Sequence, residues 1–187
     1  MTAPSSPEIF VDTFREGLLA VVGHDLRIEA QRFELRAIAG SLTAKVDLSA
    51  LRVLGSMVKG RLEPSSPSPS ERAEIEQRIR NEVLDSARNR EATLSATVQA
   101  DGPGFMITGT LVLCGRSQPL RARVVRSADA LETSVELAPS HYGIKPFRAL
   151  GGTLRIADKV IVHVRLPLAA GSASSDLAAL TAGWQRP

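Results

Sequence analysis

The chain has few of the features that identify a disulfide-rich, nucleic-acid-binding or membrane-spanning protein. Of its 187 residues only Cys114 is a cysteine, which excludes an internal disulfide framework and allows a reducing compartment. The formal net charge is only +3, and its 23 basic residues form no long run of like charge. We therefore expect no nucleic-acid partner. The longest apolar runs span a few residues, far short of the roughly 18 that a membrane-crossing helix needs.

Signals for export, metal binding and nucleophilic catalysis are also missing. Residues 1–7 lack the basic and apolar regions of a secretory signal, so we expect a cytoplasmic protein. The three histidines, at positions 24, 141 and 163, do not have the spacing of a metal site. No Gly-x-Ser-x-Gly elbow or phosphate-binding loop is present. The sequence thus predicts neither a metal nor a cofactor.

Alternation of apolar and polar residues dominates the rest of the chain and predicts half-buried strands. It recurs in six segments, which are Leu42 to Leu48, Leu94 to Ala100, Phe105 to Leu113, Leu120 to Val124, Leu131 to Leu137 and Val160 to Leu168. Short turn-rich breaks separate them, including one at Ala157 and Asp158 before the last strand. Consecutive hairpins of this kind predict a closed, antiparallel, up-and-down β-barrel, because closure removes the exposed sheet edges.

One segment has helical periodicity instead. Ile75, Ile79, Val83 and Ala87 recur every four residues among charged neighbours, which predicts an amphipathic helix at about residues 70–88. Ser68, Pro69 and Glu71 form a capping-box signature at its start. The fold class is therefore all-β with one helix. We place the barrel domain at residues 9–168, between an N-terminal tail, 1–8, and a C-terminal tail, 169–187, that is flexible or forms a short helix.

Three stretches together resemble the YceI-like family of lipocalin-like bacterial proteins. These are Glu82 to Arg88 leading into the Ala92 to Ala100 strand, the strand-turn-strand stretch from Ile107 to Leu120 with its Gly-x-x-x-Pro turn, and Tyr142-Gly143-Ile144. Cys114 stands where many members have histidine. The stretch Gly17 to Leu26 looks like a cytoplasmic branch of the family. The resemblance implies a lipocalin-like barrel that binds a polyisoprenoid or another long-chain lipid.

The resemblance and the alternation lead to one main hypothesis, which is non-catalytic binding of a lipophilic small molecule such as a polyisoprenoid or fatty acid inside the barrel. A barrel of eight strands is just wide enough for one small ligand. The predicted wall consists of Phe33, Phe105, Ile107, Leu111, Val124, Val135 and Val162. Tyr142 and His24 are the predicted polar anchors near the barrel mouth. Any one of these side chains could equally belong to a filled core.

Two other hypotheses come from different functional classes. The first is a hydrolase-like or other enzyme that uses His24 and Asp25, with Cys114, at the barrel mouth, because these groups have useful pKa values near a junction. His24 and Asp25 would also suit a simple turn, and Cys114 a small buried hydrophobic residue. The second is a homodimeric interaction module in which the helix or an open strand edge pairs with a second chain.

Overall fold

The alternating segments fold into strands, and these make up most of the chain. A computed structural model describes residues 6–16, 25–149, 154–168 and 185–186. The strands are β1 (Glu8–Glu16), β2 (Leu26–Ala30), β3 (Phe33–Ile38), β4 (Ser41–Asp47), β5 (Leu51–Val58), β6 (Arg61–Glu63), β7 (Glu91–Asp101), β8 (Gly104–Leu113), β9 (Arg116–Arg126), β10 (Ala130–Leu137), β11 (Arg148–Ala149), β12 (Leu154–Pro167) and β13 (Gln185–Arg186). The all-β class with one helix, α1, is confirmed.

All these strands belong to one curled antiparallel sheet. The paired order is β13-β3-β4-β7-β8-β9-β10-β12-β1-β2-β5-β6, with β11 attached to β12. Hairpins join β7 to β8, β8 to β9, and β9 to β10, as the meander predicted. The order has two ends, however, so the closed barrel expected from the sequence is not shown.

The two ends of this order are close together along the chain. β2 runs into β3 through Gln31 and Arg32, and β4 runs into β5 through residues 48–50. Across these breaks the Gln31 amide donates to the Ala50 carbonyl at 2.8 Å, and the Asp47 amide donates to the Arg32 carbonyl at 3.0 Å. These two bonds lie between the β2–β5 and β3–β4 ladders.

The helix α1 (Pro69–Arg78) begins where its capping box predicts. The Ser68 side chain accepts from the Glu71 amide, and the Glu71 carboxylate accepts from the Ser68 amide at 2.8 Å. The predicted range of 70–88 is too long. A π-helical turn (Ile79–Val83) follows α1, and Asp85, with φ of 45°, ends the helical path. A left-handed backbone cannot continue a right-handed helix, so Ala87 lies in a separate turn.

β12 is longer than predicted. Ala157 and Asp158 lie within it rather than in a turn. The β1–β12 register shifts here, because Thr13 pairs with Val160 and Arg15 with Ile156. The extra residues of β12 are taken up as a bulge in a continuous strand, which explains why the local loss of alternation looked like a turn.

The two ends of the curled sheet differ. At one end, here called the helix end, the Cys114 Sγ atom lies 3.8 Å from the Leu84 carbonyl, and Gln118 Nε2 donates to the His141 carbonyl at 3.0 Å. At the other, the far end, the Val98 amide donates to the Gly40 carbonyl at 2.8 Å and Arg123 pairs with Asp101 at 3.0 Å. The main buried core includes Phe33, Leu35, Phe105 and Leu131.

The predicted tails lie largely outside the described residues. Within the C-terminal tail, Gln185 and Arg186 pair with Glu34 and Phe33 as β13, so this short piece is strand, which was not expected. Of the helices in the described ranges, none has the length and apolar character required to cross a bilayer.

Candidate functional site: an apolar cavity inside the sheet

A cavity of about 690 Å³ lies on the concave side of the sheet. Its wall is formed by inward side chains of most strands, and by α1 and the segment 139–147 at the helix end. The apolar part of the wall includes Ile9, Val11, Leu26, Ile28, Leu42, Val46, Leu94, Ile107, Leu111, Leu120, Val124, Leu131, Val135, Ile144, Ile156, Val160, Val162 and Val164. Volumes of about 300 to 1,000 Å³ are typical of small-molecule sites.

The alternation of the strands explains why the wall is apolar. On β8, Ile107 and Leu111 face the cavity, and Thr108 and Thr110 between them are exposed. Gly109 sits between the two wall residues, where a Cβ atom would lie 2.5 Å from the Ala96 Cβ atom. The close approach of β7 and β8 at this point requires glycine.

The described wall includes most of the residues predicted from the sequence. Five apolar candidates line the cavity, namely Ile107, Leu111, Val124, Val135 and Val162. Tyr142 also lines it and is only 3% exposed, and burial raises the pKa of its phenol. Phe33 and Phe105 are buried in the main core, as Ile107 and Val124 are, but they do not lie on the described wall. His24 lies outside the described residues.

The helix contributes an apolar stripe to the cavity. Ile75, Ile79 and Val83 line it, as their spacing suggested, although α1 has no buried residue. The Glu76 Oε1 atom accepts from the Val53 amide at 2.8 Å, and Arg72 donates to the carbonyls of Pro67 at 2.8 Å and Leu54 at 3.2 Å. The helix is therefore held against β5 by polar bonds and covers the cavity without filling it.

Among the described residues, charged groups line the cavity only near the helix end, and sequence patterning did not identify them. Arg78 pairs with Glu74 at 2.5 Å, and its guanidinium lies 6.0 Å from the Phe147 ring centroid. Asp158 accepts from the Ser140 side chain and amide, which lowers the pKa of its carboxyl. Lys145 lies on the same rim. Lys145 and two partners of the rim, Ser140 and Phe147, belong to residues 139–147, for which the sequence shows no periodic signal.

Of the groups in the enzyme hypothesis, Cys114 and Asp25 belong to the described residues and His24 does not. Burial, with a smaller effect of the Asp85 charge, raises the pKa of the Cys114 thiol, whereas a nucleophilic cysteine needs a lowered value. The Asp25 carboxylate accepts from the Arg15 amide at 2.8 Å. Within the ranges that the structure describes, no three His, Cys, Asp or Glu side chains are grouped to hold a metal ion.

A polar network crosses the outer face of the sheet. His163 Nε2 lies 3.1 Å from Asp12 Oδ2, and its Nδ1 atom lies 2.8 Å from Ser134 Oγ. Arg27 donates twice to the Asp12 carboxylate, at 2.8 and 2.7 Å. His163 alternates with the wall residues Val162 and Val164 and does not line the cavity, and both of its ring nitrogens have a partner on this face.

Comparison with known proteins identifies relatives of this fold. A family model described as YceI-like domain matches residues 16–168. Among solved structures, Burkholderia cenocepacia BcnA aligns with a TM-score of 0.58 at 10% identity, covering 87% of this chain and 96% of BcnA. A polyisoprenoid binding domain from Saccharophagus degradans aligns with a TM-score of 0.53 at 14% identity, covering 86% and 95%.

A third solved structure, the Campylobacter jejuni YCEI protein, has a TM-score of 0.50 at 8% identity, covering 75% of this chain and 82% of that protein. A search of curated proteins finds no match. At these identities the structural neighbours establish similarity of fold.

Proposed function

Since this chain belongs to the YceI-like domain family, we propose that it binds a lipophilic small molecule in the cavity and performs no chemistry on it. The observation that carries the proposal is the cavity of about 690 Å³ with its almost wholly apolar wall. An apolar wall offers favourable burial to hydrocarbon and little to a polar substrate.

The binding energy would come from removing hydrocarbon from water. Each buried CH₂ group contributes about 0.8 kcal/mol, so a chain of about ten enclosed carbons could bind tightly without a polar contact, even after the cost of association. The predicted residues Ile107, Leu111, Val124, Val135 and Val162 would contact the ligand together with the rest of the apolar wall. Tyr142 is the proposed polar anchor among the described residues, and His24 stays a prediction.

The ligand we propose is a polyisoprenoid, a fatty acid or a similar amphiphile. The name of the Saccharophagus degradans neighbour supports a polyisoprenoid. The charged rim of Glu74, Arg78, Lys145 and Asp158 supports an amphiphile whose polar end lies at the helix end, because charged groups that stay near water pay little desolvation.

We also propose that the sheet closes around the ligand as an eight-stranded barrel. In support, β2 and β3 can be taken as one long strand interrupted at Gln31–Arg32, and β4 and β5 as a second one interrupted at 48–50. Each of these long strands pairs with other strands on both of its sides. The bonds from Gln31 to Ala50 and from Asp47 to Arg32 would continue one ladder across both breaks. A closed sheet would protect the hydrocarbon from water on every side but the helix end.

Native mass spectrometry of the protein purified from cells tests the proposal. We expect a hydrophobic molecule to be retained by the unmodified chain and to be lost from Ala44→Trp, because Ala44 lines the cavity and an indole there would occupy its space. The matched control is Thr43→Trp. Thr43 is the neighbour of Ala44 on the exposed face of β4, so this variant should keep the ligand.

Two outcomes would contradict the proposal. One is a protein that carries no hydrophobic molecule and takes up none when mixed with polyisoprenols or fatty acids. The other is equal retention by Ala44→Trp and Thr43→Trp with both variants folded, which would place the ligand elsewhere.

The cytoplasmic location and the homodimer stay predictions, which cell fractionation and light scattering would test.

A further inference from the structure

The hairpin between β5 and β6 has a tip, residues 58–62, that combines apolar and basic side chains in solvent. Val58 is 54% exposed and Leu62 is 36% exposed. Lys59 and Gly60 form the turn with φ of 50° and 76°, and Arg61 follows. Two aliphatic side chains are thus exposed beside two cations on a narrow protrusion.

The tip belongs to the helix end of the sheet. In the β2–β5 ladder Ala30 pairs with Leu51 and Leu26 with Ser56, so β5 continues past Leu26 toward that end. The chain returning from β6 leads through Pro67 into α1, and Pro67 lines the cavity. Arg72 of α1 donates to the carbonyls of Pro64 and Pro67, which ties the base of the hairpin to the helix.

The cations of the tip have no carboxylate partner among the described residues. Within the described part of the chain neither Lys59 nor Arg61 forms an ion pair, and the nearby Glu63 carboxylate instead accepts from Ser65 Oγ at 2.6 Å. Cations at the far end are paired, as Arg123 is with Asp101 at 3.0 Å and Arg165 with Asp129 at 2.6 Å. Unpaired positive charge is therefore present where the apolar side chains protrude.

We infer that the β5–β6 tip docks on an anionic lipid bilayer and holds the helix end of the cavity against the membrane. Val58 and Leu62 enter the headgroup region, and Lys59 and Arg61 bind lipid phosphates. A second copy of this chain fits the tip less well, because the two basic tips would repel each other. Docking requires no ligand in the cavity, so it can fail while the proposed lipid binding holds.

The charge part of the docking is measured by vesicle flotation. The full chain is mixed with vesicles of phosphatidylcholine alone or of phosphatidylcholine with phosphatidylglycerol. We expect binding only to the anionic vesicles, and weaker binding at high salt. Lys59→Gln with Arg61→Gln should lower the affinity about 30-fold, because each basic residue near an anionic surface is worth about 1 kcal/mol. The control, Arg36→Gln with Lys45→Gln, removes the same charge from β3 and β4 and should change the affinity much less.

The apolar contribution to docking is tested by a second double variant and its matched control. Val58→Ser with Leu62→Ser should weaken anionic-vesicle binding at least about fivefold through lost apolar burial. Ile38→Ser with Val125→Ser removes exposed aliphatic side chains that are 70% and 56% exposed at the far end, and should leave binding unchanged. Circular dichroism confirms that each variant is folded, and native mass spectrometry measures its ligand separately.

Absence of binding to anionic vesicles, or equal losses from the tip and control variants, would overturn the docking. So would a tip that binds a protein partner or a second copy but no vesicle. In each case, retained ligand in the purified protein would leave the proposed function intact.

Discussion

Thr13 carries the most unusual polar atom of the cavity wall. Its Oγ1 atom is buried and has no hydrogen-bond partner in the described part of the chain, although Thr13 lines the cavity. A buried hydroxyl without a partner costs about 1 to 3 kcal/mol. The hydroxyl therefore either destabilises the ligand-free protein or forms a hydrogen bond with a polar atom of the ligand.

Thr13→Val should stabilise the ligand-free protein by about 1 to 2 kcal/mol, because it replaces the unpartnered hydroxyl with a methyl group of similar shape. Urea denaturation of refolded, ligand-free protein, followed by circular dichroism, measures this. The control is Thr133→Val, since Thr133 Oγ1 donates to the Arg123 carbonyl at 2.8 Å and its loss should destabilise. A destabilised Thr13→Val variant would mean that the hydroxyl has a partner in solution.

Asp47 is the titrating residue at the break between β4 and β5. Burial acts to raise the pKa of its carboxyl, but bonds from the Ser49 hydroxyl and amide, helped by Arg32 and Arg90, outweigh burial and lower it below the ordinary 3.8. A carboxyl whose pKa is lowered by folding stabilises the protein above its unfolded-state pKa and loses that effect as the pH falls.

Asp47→Asn should therefore be less stable than the unmodified protein at pH 7, with the difference shrinking below about pH 5 and vanishing once the pH is below the folded-state pKa. Urea denaturation across this range measures it. Glu34→Gln is the control, because its pair with Arg36 at 3.5 Å is exposed and worth at most about 1 kcal/mol. A stability difference independent of pH would show that the Asp47 charge is not responsible.

At the scale of elements, the capping box allows a local test of the helix that covers the cavity. Ser68→Ala removes the acceptor of the Glu71 amide and should cost about 1 kcal/mol. Since α1 has no buried residue, this loss should appear as faster amide hydrogen exchange at residues 71–79, with β8 unchanged. Ser65→Ala removes a hydroxyl that bonds to Glu63, outside the helix, and should leave that exchange unaltered. Unchanged exchange in Ser68→Ala would show that contacts with β5 alone hold the helix.

The sequence predicted those strands and helices that turn one face toward the shared cavity and the other toward solvent. Strands such as β8 and β9 alternate cleanly, because their inward side chains line one cavity and their outward ones meet solvent. The errors fall where backbone geometry departs from a regular period. Asp85 ends the helical path with a positive φ, and the bulge at Ala157 and Asp158 interrupts the alternation of β12 without ending the strand. Neither feature produces a periodic pattern.

At the scale of the molecule, alternation predicts which way a side chain points but not how deep it lies. Ile107 and Phe105 are two residues apart on one face of β8 and both belong to the main core, yet of the two only Ile107 lines the cavity. The charged rim was missed for a related reason. Lys145 reaches the cavity through the segment 139–147, whose fold has no periodic signal, and Asp158 reaches it through the bulge of β12.

Closure of the sheet is the property of the whole molecule on which a sealed cavity depends. In a closed barrel every amide of the ladder bonds to a neighbour on one side or the other, so the amides at the breaks should be as protected as those in the middle of a central strand. The two amides that decide this belong to Gln31 and Asp47, which donate to Ala50 and Arg32 across the breaks.

Amide hydrogen exchange measured by nuclear magnetic resonance should give protection of Gln31 and Asp47 within roughly tenfold of that of Ile107, which lies between β7 and β9. Gly102, in the exposed turn after β7, is the unprotected reference. If Gln31 and Asp47 instead exchanged as fast as Gly102, the two bonds would open in solution. Water would then reach the cavity between β2 and β4, and a hydrocarbon ligand would lose part of the burial that is proposed to bind it.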